Sequence, residues 1–294
     1  MRDVVIALLP VLAAACVIFG LRSLLLTAVS VTACVLLEFL WDKLMKKPVS
    51  VGDLSAVVTG MLVAYNVPVT MPIWQLIVGD AAAIIVAKML FGGLGCNFMN
   101  PALVGRIVMF FSFTESMTDY SSHITEWAVT HLHASADMVA GATPLASASI
   151  RKDELLGLFL GAYGGVIGET CTLAILIGCV YLIARRVITP TVPLVFVGGV
   201  LVLSWVLGDA CPVASVLSGG VMLGAVFMAT DYVTSPITER GRAVFALGAA
   251  IITVLIRRYS SNSEGVSFAI LLMNVLVPYI DAVFKPKPFG GDVK

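Results

Sequence analysis

Val69-Thr70-Met71-Pro72-Ile73 returns as Val233-Thr234-Ser235-Pro236-Ile237, from position 69 to position 233, an offset of 164. Both stretches fit the pattern V-T-x-P-I. At the same offset Gly60 meets Gly224 and Arg22 meets Arg186. Self-similarity at a fixed spacing marks an internal repeat. Apolar runs surround each copy, at 4–21, 24–40, 54–66, 73–91, 97–113, 153–184, 191–207, 211–229, 243–257 and 266–284. A spanning helix needs about 20 apolar residues to cross a hydrocarbon core of about 30 Å. These runs predict an all-α polytopic membrane protein of about ten transmembrane helices, five in each half. An odd number of spans per half turns the second half upside down, a 5+5 inverted repeat. In that design short or interrupted helices meet near the midplane to form a site.

Two runs depart from the standard length. The run at 54–66 spans only about 20 Å at a rise of about 1.5 Å per residue, and the run at 153–184 spans about 48 Å. The long run carries Gly157, Gly161, Gly164, Gly165 and Gly168, so it is either tilted or broken near Gly164-Gly165. Its glycine spacings also suit close helix–helix contact. Asn97 to Pro101 and Gly219-Gly220 are candidate interruptions. Non-helical backbone at that depth requires protein or a polar cavity to satisfy it. The expected division is 1–113 as the first half, 114–152 as an outer segment, and 153–294 as the second half.

Composition agrees with lipid as solvent. The 294 residues are 59% hydrophobic and 12% charged, with a mean hydropathy of +1.01, against about 25% charged in soluble domains. The 18 basic and 18 acidic residues cancel. That balance argues against a nucleic-acid partner, which needs excess Lys and Arg. The N-terminal run is expected to be the first span rather than a cleaved signal, since no small-residue cleavage site precedes a polar start. Cys16, Cys34, Cys96, Cys171, Cys179 and Cys211 form no C-x-x-C pair and read as small core residues.

Orientation follows the bias of basic residues toward the cytoplasm. With the N-terminus inside, the inner flanks hold Arg2, Lys43, Lys46, Lys47, Arg185, Arg186, Arg240, Arg242, Lys285, Lys287 and Lys294. The outer flanks hold only Arg22, Arg151, Lys152, Arg257 and Arg258. Lys88 and Arg106 lie within or near the inner ends of spans. Both termini are therefore expected to be cytoplasmic, with 114–152 outside.

The outer segment is the longest connection, and connections above about 15 residues are usually functional or disordered. It ends in Gly141-Ala142-Thr143-Pro144-Leu145. A hydroxyl can be phosphoesterified, small neighbours admit a bulky ring, and Pro144 biases Thr143 away from helix. A plain helix cap at Thr143 or Ser147 is the bland alternative. This segment resembles the flavinylation motif S/T-G-A-T-x-L of the NqrB/RnfD family, whose threonine is esterified to FMN phosphate. Ala140 stands where that motif has Ser or Thr. Three more stretches resemble the family: Gly92 to Leu103, Gly161 to Thr170, and Phe227 to Pro236. The resemblance implies a urea-transporter-like fold and FMN on Thr143, beside Gly141, Ala142, Pro144 and Leu145. It implies a second, non-covalent flavin, riboflavin, near the inner side, placed by Thr230, Asp231 and Thr234. The shorter N-terminus favours the RnfD branch over NqrB.

Acidic residues in spans are costly and default to functional hypotheses. Glu169 and Asp80 are candidates for coupling an ion to a flavin. Glu169 is the deepest, and a structural pair with a basic neighbour is the competing reading. Glu38 and Asp231 sit near span ends and are expected at the interface, with Lys88 either pairing Glu38 or facing the inner surface. His123, His131 and His133 read as ordinary loop residues, so no metal is expected. Gly92-Gly93-Leu94-Gly95 lacks the lysine and strand of a phosphate loop.

The resemblance implies a flavin-carrying electron-transfer subunit, not catalytic alone. Its complex would couple ferredoxin:NAD oxidoreduction to Na+ or H+ movement across the bacterial cytoplasmic membrane. Its partners would be RnfA, RnfB, RnfC, RnfE and RnfG. A solute channel of the same fold without a redox role is the alternative, since fold does not fix function. A subunit that only scaffolds redox neighbours is a third.

Overall fold

The computed structural model describes residues 1–120, 155–161, 163–209, 211–260 and 265–285. The described residues are helical, with one isolated β-bridge. In the first half α1 runs Arg2–Phe19, α2 Leu21–Leu44, α3 Ser55–Tyr65, α4 Ile73–Ala81 and α5 Pro101–Ser112, followed by the short α6 at Thr114–Thr118. In the second half α7 is Leu155–Leu160, α8 Thr172–Ala184, α9 Thr191–Val206, α10 Pro212–Leu217, α11 Val221–Leu223, α12 Glu239–Tyr259 and α13 Val266–Val283. α4 continues as a π-helix over Ala82–Met89, and α11 as another over Gly224–Met228.

Each apolar run of the sequence contains a helix or a pair of helical pieces. Helices α1, α2 and α13 are each long and apolar enough to cross a membrane. The others are shorter, interrupted, or charged at their ends. Trp74, Trp205, Tyr259, Tyr232 and Tyr279 are exposed at helix ends or beside them, where amphipathic rings suit a membrane–water boundary.

The long run is broken. Helix stops at Leu160, the backbone is irregular from Tyr163 to Cys171, and helix resumes at Thr172. Gly161 takes a φ of 93°, a left-handed value that glycine reaches without penalty. The freed backbone is satisfied by a second irregular segment that follows α3. Ile167 N donates to Val67 O at 3.1 Å, Gly168 N donates to Tyr65 O at 2.9 Å, and Pro68 bridges Val166. A Cβ on Gly168 would sit 2.4 Å from Tyr65 Cβ, so only glycine lets the two stretches of chain touch.

The run at 211–229 is also broken, at Ser218 to Gly220. There Arg257 reaches in from α12 and donates to the carbonyls of Ser215, Ser218 (3.1 Å) and Gly219 (2.9 Å). Arg257, in the last turn of α12, caps this half-helix, because the last carbonyls of α10 have no partners of their own.

Helix packing joins the halves. The main faces are α1 on α8, α2 on α3, and α9 on α12, with α5 against α13. Arg106 departs from its expected place near an inner end. It sits mid-way along α5, 5% exposed, and Nη1 donates to Glu169 Oε1 at 2.8 Å and to Asn66 Oδ1 at 2.6 Å. The guanidinium lies there because the two irregular segments bring a carboxylate and an amide oxygen to one point.

Two stability outcomes follow. Removing one member of a buried ion pair costs about 3–5 kcal/mol, because the other charge is left uncompensated. Arg106→Ala is therefore expected to lower thermal stability in detergent far more than the exposed Arg185→Ala, whose partner Asp3 is also partly exposed. Equal melting temperatures for the two variants would refute a structural role for the pair. A Cβ on Gly60 would lie 2.7 Å from the Val31 backbone. Gly60→Ala should cost about 1–3 kcal/mol by overpacking, read by the same melting assay.

Candidate functional site

A cavity opens at one end of the bundle, between the start of α5, the end of α11's π-helix and the first turn of α1. It holds about 170 Å³ of accessible space and opens to solvent at its mouth. Its apolar wall includes Val58, Leu62, Leu182, Val226 and Phe227. Its polar groups are Ser55, Thr59, Lys88, Asn97, Asn100, Thr230 and Asp231. A flat, largely apolar ring with a polar edge suits such a lining.

Local structure explains the polar placements. Asn100 caps α5, its side chain accepting from Ala102 N at 3.0 Å, with Pro101 in the first turn. Proline is favoured there because its missing N–H would be unpaired anyway. The Asn100 amide also donates to Met228 O at 3.3 Å, tying α5 to the end of the second π-helix. Asn97 is buried and donates to Met99 O at 3.1 Å. Thr230 Oγ1 donates back to Val226 O.

Of the three residues expected near a second flavin, Thr230 and Asp231 line the cavity. Thr234 does not. It is buried behind, and its hydroxyl donates to Asp231 Oδ2 at 3.2 Å. Val233 N donates to Asp231 Oδ1 at 3.4 Å. Burial raises the Asp231 carboxyl above its ordinary value, while these two bonds pull the other way. Asn97, Asn100, Thr59, Ser55 and Lys88 were not singled out for this site by sequence reasoning. The Asn97 to Pro101 interruption was the available signal for two of them.

Glu38, expected at the interface, is fully buried. Lys88 Nζ donates to Glu38 Oε2 at 2.7 Å and to Ser55 Oγ at 2.5 Å. Of the two readings of Lys88, pairing is the one observed. Glu169 pairs with Arg106 and lies against Gly220, where a Cβ would meet Glu169 Oε1 at 2.4 Å. Asp80 is buried between α2 and α4. Its Oδ1 accepts from Ser30 Oγ at 2.6 Å and from Cys34 Sγ at 3.5 Å. Neither Glu169 nor Asp80 lines the cavity. Gly141, Ala142, Thr143, Pro144 and Leu145, with His123, His131 and His133, lie outside the described residues. Among the described residues no group of three or more His, Cys, Asp or Glu is placed to hold a metal.

Relatives with this chain's pattern carry redox names. It is 43% identical to a subunit of the Na(+)-translocating ferredoxin:NAD(+) oxidoreductase complex of Acetobacterium woodii, over 99% of this chain and 90% of that one. It is 36% identical to a subunit of the proton-translocating ferredoxin:NAD(+) oxidoreductase complex of Clostridium ljungdahlii, over 99% and 91%. It is 34% identical to a subunit of the ion-translocating oxidoreductase complex of Alcanivorax borkumensis, over 99% and 92%. Residues 1–290 match the family described as NQR2, RnfD, RnfE. The chain therefore belongs to the NQR2, RnfD, RnfE family.

Proposed function

We propose that this chain is the flavin-carrying electron-transfer subunit of a complex that couples ferredoxin:NAD oxidoreduction to Na+ or H+ movement. The cavity beside Asn97, Asn100, Thr230 and Asp231 is the observation that carries the proposal. It has an apolar wall with amides and a carboxyl at its edge, a lining that suits an isoalloxazine ring. Riboflavin held there needs no phosphate site. FMN would be esterified to Thr143 within Gly141-Ala142-Thr143-Pro144-Leu145, on the other face of the membrane. The flavins supply the redox chemistry, and the protein supplies position and electrostatics.

The 5+5 inverted repeat of urea-transporter type belongs to the same proposal. Adding the offset of 164 to Ser55–Tyr65 gives 219–229, which covers α11 and its π-helix; adding it to Pro101–Ser112 gives 265–276, within α13 but for one residue. The crossing of the segments after α3 and before α8 at Val67 and Ile167 supports two halves meeting at mid-depth. The site sits at the face that also holds Asp3 and Arg185, taken as cytoplasmic from the bias of basic residues. In this reading both termini are cytoplasmic and Thr143 is outside. The remaining Rnf subunits, RnfA, RnfB, RnfC, RnfE and RnfG, would be its partners in the bacterial cytoplasmic membrane. The solute-channel alternative has less support, because a solute passing between the halves would meet the Arg106–Glu169 ion pair.

Two measurements test the reading. Chain produced with a flavin transferase should fluoresce in a denaturing gel, and Thr143→Val should abolish the band. A dark wild-type band from the native host would refute the covalent flavin. Separately, acid-released flavin per chain should fall about tenfold or more in Asp231→Leu, since a lost buried hydrogen-bond partner costs about 1–3 kcal/mol. The covalent band of Asp231→Leu should be unchanged. Wild-type content of released flavin in that variant would place the second flavin elsewhere.

A further inference from the structure

One wall of the cavity connects to the inner surface by a run of protonatable groups to which electron transfer alone gives no role. Lys88 lines the cavity from the π-helix of α4 and is 2% exposed. Behind it lies Glu38, with Oε2 on Lys88 Nζ at 2.7 Å. The other oxygen, Oε1, is 2.5 Å from Ser50 Oγ. Ser50 Oγ is also 2.8 Å from Asp42 Oδ2, which accepts from Ser50 N as well. Glu38 is fully buried and Asp42 is 2% exposed, while Ser50 is only half-buried.

Counting hydrogens makes the arrangement informative. A serine hydroxyl carries one hydrogen, and here its oxygen lies within bonding distance of two carboxyl oxygens. The hydroxyl thus bridges the two carboxyl groups and can turn its hydrogen to either. The other branch from Lys88 is ordered in one direction. Ser55 Oγ accepts from Lys88 and donates to Asp53 Oδ1, which also takes Ser55 N at 2.7 Å. Thus three acids, Glu38, Asp42 and Asp53, converge on one lysine, where a plain structural ion pair needs a single acid. The lysine arises from a π-helix, a form that recurs at functional sites. Outside this set, Lys43, Lys46 and Lys47 are exposed beside the entry.

We propose that Asp42, Ser50, Glu38 and Lys88 form a proton relay from inner water to the cavity. The inference rests on the reading of that cavity as a flavin site. A one-electron donor, reduced ferredoxin in the relatives' reaction, supplies the electron that reaches the cavity. Lys88 then gives one proton to the reduced group. A proton passed from Asp42 through the Ser50 hydroxyl to Glu38 goes on to Lys88. Water at the half-buried Ser50 refills the pair. One electron and one proton enter the cavity, no other bond is made or broken, and the relay ends in its starting state. Because its entry is on the same face as the cavity, the relay balances charge locally and does not itself carry a proton across the membrane.

The test uses the full chain purified in detergent with Thr143→Val as background, so that only the cavity flavin reports. Pre-reduced methyl viologen, whose oxidation releases no proton, is mixed in a stopped-flow instrument with a pH-indicator dye, and flavin bleaching and proton uptake are followed separately. The expected result is synchronous uptake and bleaching in the background protein. Ser50→Ala should slow uptake by at least about tenfold, the lower range for losing a positioned proton donor. It should keep its released-flavin content, and Ser50→Thr, which retains the hydroxyl, should restore the rate. A merely structural Ser50 would alter flavin content or melting and leave uptake synchronous. Should Ser50→Ala not assemble, Asp42→Asn is read in the same way. Undiminished uptake in flavin-loaded Ser50→Ala or Asp42→Asn overturns the relay alone, and absence of released flavin from the Thr143→Val background overturns the cavity reading with it.

Discussion

The fold depends on two pieces of backbone that leave helical geometry deep inside the bundle and satisfy one another. Val67 and Tyr65 offer carbonyls, and Ile167 and Gly168 offer N–H groups. In hydrocarbon an unpaired amide costs several kcal/mol, so neither break is stable without the other. Everything central follows from that mutual satisfaction. It fixes Asn66 and Glu169 beside one another, and so gives Arg106 two acceptors in a place where a lone guanidinium could not be buried. The segment that precedes α8 is thereby held against the segment that follows α3.

Buried charge is distributed in two centres with different character. Arg106 and Glu169 form a pair stitched to an amide, a tie between elements far apart in sequence. Around Lys88 the acids outnumber the lysine and are bridged by serines, and the set reaches the surface through Ser50. The first centre has the makings of a lock. The second can exchange protons with water without moving a helix. Asp80 is a further buried acid, held by Ser30 and Cys34, and it has no basic partner among the described residues.

Much of this was legible in the sequence because membrane burial is written in composition. Every apolar run corresponds to helix, and the breaks lie where glycine or an Asn–Pro pair stood: Gly164-Gly165, Gly219-Gly220 and Asn97 to Pro101. Thr230 and Asp231, singled out through a family resemblance, line the cavity. The rest depended on tertiary contact. Which carboxylate meets Lys88 is decided by the packing of α2 on the π-helix, and no spacing in the chain encodes it. Arg106 looked like an end-of-span residue because its partner lies 63 positions away. The π-helices leave no signature in hydropathy, since one extra residue per turn does not change which residues are apolar. Thr234 was assigned to the site because of its neighbours, yet its hydroxyl serves Asp231 from behind.

The close fit of α1 on α8 bears on how the chain is made. Gly178 allows the Ala7 carbonyl to lie where a Cβ would be 2.5 Å away, and Asp3 accepts from Tyr181 at 3.1 Å, 178 positions later in the chain. Synthesis proceeds at about 5–20 residues per second, so the first helix waits roughly ten to thirty seconds before its packing partner leaves the ribosome. During that interval the small-residue face of α1 is bare in the bilayer. A nascent chain of this design therefore needs either a membrane insertase that holds the early helices together or a first half that coheres through α2 and α3 until α8 arrives.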